Sequence, residues 1–189
     1  SANADFFRGK PTMEKVTMYM VNEKTTAITM FEQGNLDFVD DHSIPPLDKP
    51  RLSKMAGYKL VPQLRGEYYA FAVDRKPFDN PLVRKAFAMA IDREVLPKIL
   101  QGGQTPATSW IPPGMLAYNP EIGVRFNPAE ARKLLKEARY PDRKGLPAIT
   151  LGYNTDEEKK LVAEAIQSMW QKHLGVVVKI ENQEWKVFL

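Results

Sequence analysis

Residues 149–180, which read ITLGYNTDEEKKLVAEAIQSMWQKHLGVVVKI, decide the fold class. At the start of this stretch, apolar side chains alternate with small or polar ones, which predicts a strand with one buried face. The alternating residues are Ile149, Leu151 and Tyr153. At the other end, the β-branched run 176–180 is typical of a buried parallel strand. A long helical segment separates the two, so the order predicts a β-α-β unit.

The helix between these strands carries its own start and stop signals. Thr155 and Glu158 predict a capping box, in which each side chain accepts the other residue's backbone N–H. Gly175 predicts the end, because glycine adopts the left-handed backbone conformation without steric cost. Side chains at helical spacing predict the buried face, namely Leu161, Val162, Ala165, Ile166, Met169 and Trp170.

Another β-α-β unit is predicted near the start of the chain. Alternating apolar residues predict a strand at 16–20, and the short apolar run 36–39 predicts a second strand. The segment between them, 25–33, has helical spacing and is terminated by Gly34. Parallel strands joined by a right-handed crossover are expected.

The middle of the chain predicts shorter elements. A proline-rich loop at 44–47 precedes a short helix at 49–56 and a strand at 58–61. A further strand at 68–73 is apolar along its whole length, which is typical of burial on both faces. The sequence PQLRG at 62–66 separates the two strands and is a candidate hinge.

Three capping residues predict further helix starts: Asn80, Asp92 and Asn127. Pro81 stands at the first helical position, where the missing N–H of proline is not needed. Pro97 predicts a kink or an early end in its helix. Glu130 predicts a capping box with Asn127. Residues 102–126 have no periodicity and are predicted to form a long ordered loop.

Composition excludes several kinds of protein and site. The chain has no cysteine, so it has no disulfide, thiolate zinc site or cysteine nucleophile. No apolar run approaches the roughly 20 residues that cross a bilayer. The net charge is +4, but basic residues are interspersed with acidic ones, which favours a solvated surface over a nucleic-acid site. Residues 1–7 lack the pattern of a signal peptide, so a mature protein or an excised fragment is expected.

The run Asp40-Asp41-His42 follows a predicted strand, where α/β sheets place ligands, and it offers groups that bind metal or exchange protons. Adjacent side chains on an extended chain point to opposite sides, however, and Asp is common in turns, so a structural turn is favoured. The other histidine, His173, lies in a predicted last helical turn, where a cation interacts well with the helix dipole.

Phosphate-binding glycine loops and serine-nucleophile elbows are missing from the sequence. Their absence favours a binding module over an enzyme, and we predict no catalytic residue, no metal site and no cofactor. A hydrolase that uses Asp40, Asp41 and His42 is the alternative from another class.

Aromatic and polar residues suggest where such a module binds its ligand. Tyr68 and Tyr69 lie on one predicted strand, and Asn182, Glu184 and Trp185 follow another. Aromatic rings offer a large contact area with few torsions to freeze, which suits a pocket. Buried Tyr and Trp also serve a core, so both interpretations stay open at this point.

Several motifs occur in one order along nearly the whole chain: FEQGNLD at 31–37, YY at 68–69, KPFDNPLVRKA at 76–86, AIDR at 90–93, TPA at 105–107, IPPGM at 111–115, YNT at 153–155 and NQEWK at 182–186. Together they resemble the oligopeptide-binding family of bacterial extracytoplasmic solute-binding proteins. The resemblance implies an α/β fold of the type II periplasmic-binding-protein class, with mixed sheets and two lobes that close on a ligand.

Because members of that family are much longer, the chain is expected to be a central fragment. The resemblance places residues 1–64 in the first lobe and residues 65–189 in the second, peptide-binding lobe. It implies that Tyr68 and Trp185 line the cleft. The acidic residue that pairs with a peptide's amino terminus would lie beyond Leu189, so weak binding or none is expected of residues 1–189 alone.

The resemblance further implies the receptor component of an ABC importer, which captures oligopeptides through their backbone and presents them to permease subunits in the membrane. A periplasmic or membrane-anchored extracytoplasmic location is implied, with a monomeric state, no nucleic-acid partner and membrane contact only through the permease. Relatives specific for dipeptides, nickel chelates or small glycans are the alternative within the family.

Overall fold

A computed structural model describes residues 2–3 and 5–188 and divides into two compact units, one up to Pro45 and one from Pro46 onward. In the second unit, strands β1 (Thr150–Asn154) and β2 (Lys179–Gln183) pair in parallel. Helix α6 (Glu157–Leu174) connects them. The β-α-β unit predicted around residues 149–180 is therefore confirmed. None of the described helices is long and apolar enough to span a membrane.

Strand β2 begins later than its β-branched run predicts. Lys179 donates its N–H to the carbonyl of Ile149 over 2.9 Å, and pairing starts there. Val176 and Val178 are buried, whereas Val177 points outward with 73% of its surface exposed. The valine run is thus buried on one face only, which corrects the predicted continuous burial.

The start of α6 also differs from the prediction. Asp156 is the N-cap, and its carboxylate accepts the N–H groups of Glu158 (2.9 Å) and Lys159 (3.1 Å). Thr155 instead donates its hydroxyl to the carbonyl of Gln183 over 3.2 Å. The predicted capping box of Thr155 and Glu158 is wrong, because a carboxylate one residue further on accepts both amides.

Glu158 has another role, as the partner of a buried lysine. Lys49, only 5% exposed, forms an ion pair with the Glu158 carboxylate. Lys49 begins the short helix α2 (Lys49–Leu52), which ends earlier than the predicted helix over 49–56. The pair therefore joins α2 to the first turn of α6.

The far end of α6 follows the prediction more closely. Gly175 has a φ of +66° and ends the helix, as predicted. His173 lies in the last turn, but burial, Lys172 and Arg132 together lower its pKa. Two arginines interact with the helix end: Arg132 donates to the carbonyl of His173 over 2.9 Å, and Arg143 donates to that of Leu174 over 3.4 Å. The dipole role predicted for His173 is therefore filled by arginines.

Two helices pack beside this unit, α3 (Pro81–Met89) and α5 (Pro128–Glu137). Both predicted N-caps are confirmed, since Asn80 accepts the N–H of Leu82 over 2.9 Å and Asn127 accepts that of Glu130 over 3.0 Å.

The predicted capping box of Asn127 and Glu130 is only half formed. The N–H of Asn127 donates to the carbonyl of Met89 over 2.8 Å. Glu130 pairs with Lys133 at 3.4 Å. Because Met89 already accepts the Asn127 N–H, the Glu130 side chain is not needed there.

Between α3 and α5 lies the short helix α4 (Leu96–Leu100). A 3₁₀ turn precedes it, and Asp92 caps that turn by accepting the N–H of Glu94 over 3.1 Å. Pro97 falls in the first turn of α4, where no hydrogen bond is lost, so the predicted kink is absent. Residues 102–126 contain one 3₁₀ turn, Pro120–Ile122, and are otherwise irregular, as predicted.

A row of aromatic rings runs through the core of the second unit. Phe71 contacts Phe78 (4.7 Å between centroids), Phe78 contacts Phe87 (5.2 Å), and Phe87 contacts Trp170 (5.0 Å). The Trp170 indole N–H donates to the carbonyl of Phe87 over 2.9 Å. Around this row lie buried residues of α3, α5, α6 and the sheet: Val83, Ala86, Ala131, Leu134, Leu135, Leu151, Tyr153, Ala163 and Ile166. Three of the six residues predicted to be buried on α6 are buried, namely Ile166, Met169 and Trp170, whereas Leu161, Val162 and Ala165 are half-buried. Ala163, which was not predicted, is fully buried.

In the first unit, α1 (Lys24–Glu32) confirms the predicted helix and buries Ala27 and Ile28. Gly34, with a φ of +77°, ends it, and the N–H of Asn35 donates to the carbonyl of Met30 over 2.9 Å. This bond belongs to the helix-terminating motif that a glycine at this position favours.

Four predicted strands are wrong: 16–20, 36–39, 58–61 and 68–73 are irregular. Within the first of them, Met18 is 84% and Met20 91% exposed. A strand persists only when a neighbour accepts its backbone hydrogen bonds, and no residue within 2–3 and 5–188 pairs with these segments.

Candidate functional site

The carboxyl ends of β1 and β2 meet at one edge of the sheet, because the two strands are parallel. Thr155, directly after β1, joins these ends: its N–H donates to the Gln183 carbonyl over 2.8 Å. The Asn182 side-chain amide donates to the Thr155 hydroxyl over 3.3 Å. Asn182 is therefore held at this edge through a side-chain contact.

Glu184 and Trp185 continue from the same edge into a short helix, α7 (Trp185–Phe188). The Glu184 carboxylate accepts the N–H of Lys186 over 2.9 Å and so caps α7. The Trp185 ring stacks on Phe188 at 6.2 Å and is 52% exposed. Part of the indole thus packs within the protein, while about half of its surface is exposed.

Tyr69 has a different environment from its neighbour in the sequence. It packs against the core, and its hydroxyl donates to the carbonyl of Lys159 in α6 over 3.4 Å. Burial, followed by the nearby Glu67 and Tyr153, raises the pKa of Tyr69 to about 12. The phenol therefore stays protonated and serves as a hydrogen-bond donor that ties its segment to α6.

Tyr68 points the other way and is 66% exposed. Its ring contacts that of Trp110, with 4.8 Å between centroids and an interplanar angle of 49°. Trp110 was not among the predicted site residues. Its sequence signal is weak, since it is an isolated aromatic residue in a loop without periodicity.

Glu67, just before the two tyrosines, adds an electrostatic contact to α6. Its carboxylate forms ion pairs with Lys159 and with Arg65. Burial alone would raise the pKa of Glu67, but the hydrogen bonds and charges of Lys159 and Arg65 outweigh it and lower that pKa. Lys159 therefore holds this segment twice, through its ammonium group and through its backbone carbonyl.

The predicted site residues fall into two groups. Asn182, Glu184 and Trp185 lie together at the carboxyl edge of the sheet. Tyr68 and Tyr69 lie on a separate segment held by the first turn of α6. In the part of the chain that the structure describes, no hydrogen bond or ring contact joins one group to the other. Their joint role as a ligand site stays a prediction.

Asp40, Asp41 and His42 form the predicted structural turn. The Asp40 carboxylate accepts the N–H (3.1 Å) and the hydroxyl (2.7 Å) of Ser43. Across residues 2–3 and 5–188, no three potential ligands of the His, Asp or Glu type come close enough to hold a metal ion. The groups that the fold exposes at the candidate site, aromatic faces and an amide, suit non-covalent recognition.

Comparison with known proteins identifies the family. The family model described as bacterial extracellular solute-binding proteins, family 5 Middle, matches residues 1–189. The oligopeptide-binding protein OppA of Bacillus subtilis is 33% identical over 96% of this chain and 35% of its own length. The dipeptide-binding protein DppE of the same organism is 36% identical over 94% of this chain and 34% of its own. The chain thus spans about a third of the length of these relatives.

Solved structures show the same likeness. The oligopeptide-binding protein OppAIV of Borrelia burgdorferi superposes with a TM-score of 0.81 at 29% identity, over 90% of this chain and 34% of that one. The murein tripeptide-binding protein MppA of Escherichia coli gives 0.76 at 32% identity, over 89% and 34%. These neighbours confirm the predicted type II periplasmic-binding-protein fold. The chain belongs to family 5 of the bacterial extracellular solute-binding proteins and corresponds to the middle portion of its members.

Proposed function

We propose that this protein is the substrate-binding component of an ABC importer and that it binds peptides reversibly. The observation that carries the proposal is the family match over residues 1–189, together with relatives named for oligopeptide, dipeptide and murein peptide binding. Binding proceeds by hydrogen bonds to the peptide backbone and by closure of two lobes. No chemical step on the ligand is part of this function.

Within the site, the proposed ligand contacts are Tyr68, Asn182, Glu184 and Trp185, with Tyr69 in support. Trp185 offers an exposed ring that accepts varied side chains by stacking and burial of apolar surface. Asn182 and Glu184 supply polar groups at the same edge of the sheet. We assign residues 1–64 to one lobe and 65–189 to the other.

The relatives also support a proposal for partners and location. Several are named as periplasmic, which supports action outside the cytoplasm and delivery to permease subunits in the membrane. We expect a monomer that contacts the membrane only through its permease. The interspersed charges give no basis for a nucleic-acid partner.

A different small ligand is the second candidate. Related proteins are named for glutathione binding at 36% identity and, as a probable function, for deoxycholate binding at 28% identity. A dipeptide, a nickel chelate or a small glycan would occupy the same cleft. The aromatic groups at the site would serve any of these ligands.

The decisive experiment is calorimetric titration of the full-length protein with a mixed pool of tripeptides to pentapeptides, followed by mass spectrometry of co-purified ligands. We expect bound peptides of varied sequence. Recovery of a metal chelate, a sugar or a bile acid, with no heat from the peptide pool, would overturn the peptide proposal. Residues 1–189 alone should bind the same pool weakly or not at all.

A further inference from the structure

Tyr68, one of the predicted site residues, forms an exposed aromatic pair with Trp110, to which no role was predicted. Trp110 is 73% exposed and Tyr68 66%, yet their rings are in contact at 4.8 Å. Exposed aromatic rings leave apolar surface in water, and burying such surface against a ligand is favourable. The pair thus offers two tilted apolar faces on the surface of the second unit.

Trp110 is held on a rigid support despite its position in a long loop. Gly123 packs so closely on Thr108 that a Cβ at position 123 would lie 1.6 Å from the Thr108 carbonyl oxygen. The Thr108 and Tyr118 hydroxyls are 3.2 Å apart. The Ser109 hydroxyl donates to the Ile111 carbonyl over 2.8 Å and accepts the Ile111 N–H over 3.1 Å. These contacts fix both sides of Trp110 before any ligand arrives.

Tyr68 is fixed from the opposite side. Glu67, next to it in the chain, pairs with Lys159, and the Tyr69 hydroxyl donates to the Lys159 carbonyl. The backbone of Tyr68 is therefore held at both neighbours by one residue in the first turn of α6. A preorganised pair of this kind loses little conformational entropy on binding, which favours affinity.

The charges beside the pair select the kind of group it takes. Arg65 and Lys159 are cations, and Glu67 forms ion pairs with both. A cationic side chain would be repelled by Arg65 and Lys159, and an anionic one would compete with Glu67 for these partners. An uncharged apolar or aromatic side chain meets neither penalty.

We propose that Trp110 is a specificity-determining residue, which together with Tyr68 forms a subsite for an uncharged apolar or aromatic side chain of the ligand. This subsite rests on the proposed peptide-binding function. It adds a residue from the loop 102–126 to a site otherwise built from the tyrosine segment and the carboxyl edge of the sheet.

The test measures the affinity of the full-length protein for tetra-alanine and for variants that carry a single Phe or a single Lys at each position. The wild type should prefer Phe at one position and should show no such preference for Lys. Trp110→Ala should lower the affinity for that Phe peptide about 10-fold more than the affinity for tetra-alanine, the size expected of one aromatic contact. Trp110→Phe should restore most of the preference.

Leu116→Ala is the matched control, because Leu116 is 97% exposed in the same loop and its loss removes similar apolar bulk. It should leave every affinity unchanged. If Trp110→Ala weakens all peptides equally, or none, the subsite is wrong while peptide binding stands. If the wild type binds no tetrapeptide, both the subsite and the proposed function are overturned.

Discussion

The carbonyl groups at the end of α3 illustrate how single residues stabilise this fold. The last four carbonyls of a helix lack partners within it, and three of those in α3 receive donors from elsewhere. Phe87 accepts from the Trp170 indole, Ala88 from the Arg93 guanidinium at 3.3 Å, and Met89 from the Asn127 N–H. Burial lowers the pKa of Arg93, whose guanidinium also donates to the carbonyls of Ile91 over 3.4 Å and Val124 over 3.2 Å.

Replacement of Trp170 tests the most buried of these bonds. Trp170→Phe keeps an aromatic ring but leaves the Phe87 carbonyl without its donor and opens a small cavity. We expect a loss of about 1–3 kcal/mol in the free energy of unfolding, measured by urea denaturation. Trp185→Phe makes the same change at a half-exposed ring and should cost no more than about 0.5 kcal/mol. Equal losses for the two variants would contradict the role assigned to the indole bond.

His173 gives stability a pH dependence near neutrality. Burial, Lys172 and Arg132 lower its pKa in the folded chain below 6.5, while Asp92 acts in the opposite direction. On acidification the unfolded chain takes up this proton first, so the contribution is fully present above pH 6.5 and falls as the pH drops below that value.

Thermal unfolding at a series of pH values checks this sign. His173→Gln should flatten the decline in melting temperature that the wild type shows as the pH falls below 6.5. His42→Gln, the same chemical change at an exposed histidine, is the matched control. A wild type that becomes more stable over this interval, relative to His173→Gln, would show that the sign is wrong.

At the scale of elements, local signals predicted helices better than strands. Each of three helix ends depends on residues within four positions of one another, and all three formed: the caps at Asn80 and Asn127 and the stop at Gly175. Asp156 rather than Thr155 caps α6, because a carboxylate is a stronger hydrogen-bond acceptor than a hydroxyl. A sequence motif alone does not rank these two residues. A strand depends instead on a distant neighbour, so the apolar pattern at 16–20 or 68–73 shows only what a strand would bury.

The candidate site divides in the same way. Asn182 and Trp185 were predicted from their position near the carboxyl end of a strand; Asn182 lies within β2 and Trp185 follows it. Trp110, which we propose as a further contact, was not among the predicted residues because its loop has no periodicity. The ion pair of Glu67 with Lys159 joins residues 92 positions apart, so no local sequence pattern predicts it.

The loop 102–126 depends on the absence of a side chain at Gly123. Because a Cβ there would meet the Thr108 backbone rather than a movable side chain, Gly123→Ala must shift the loop. We expect a loss of about 1–3 kcal/mol in the free energy of unfolding, together with weaker ligand discrimination at Trp110. Gly57→Ala is the control, since a Cβ at Gly57 meets nothing within 4 Å. Its unfolding curve should match that of the wild type, and a matching curve for Gly123→Ala would contradict the close contact.

On the scale of the whole molecule, several segments with strand patterns lie exposed. Met18, Met20, Val61 and Tyr68 each expose well over half of their surface. The two-stranded sheet is also smaller than independent sheets usually are. Since the chain spans about a third of the length of its relatives, we expect the remaining length of a full family member to supply neighbours for these segments.

Hydrogen exchange measured by mass spectrometry tests this expectation. In residues 1–189 alone, amides at 16–20, 58–61 and 68–73 should exchange quickly, because they lack partners in β-ladders, while those of α3 and α6 should be protected. In the full-length protein the three segments should become protected by ladder bonds, whereas the exposed loop residue Leu116 should exchange at the same rate in both. Rapid exchange of all three segments in the full-length protein would show that their apolar patterns do not reflect strand formation. Added peptide should slow exchange further near Tyr68, because a closed cleft excludes water from the segment that carries it.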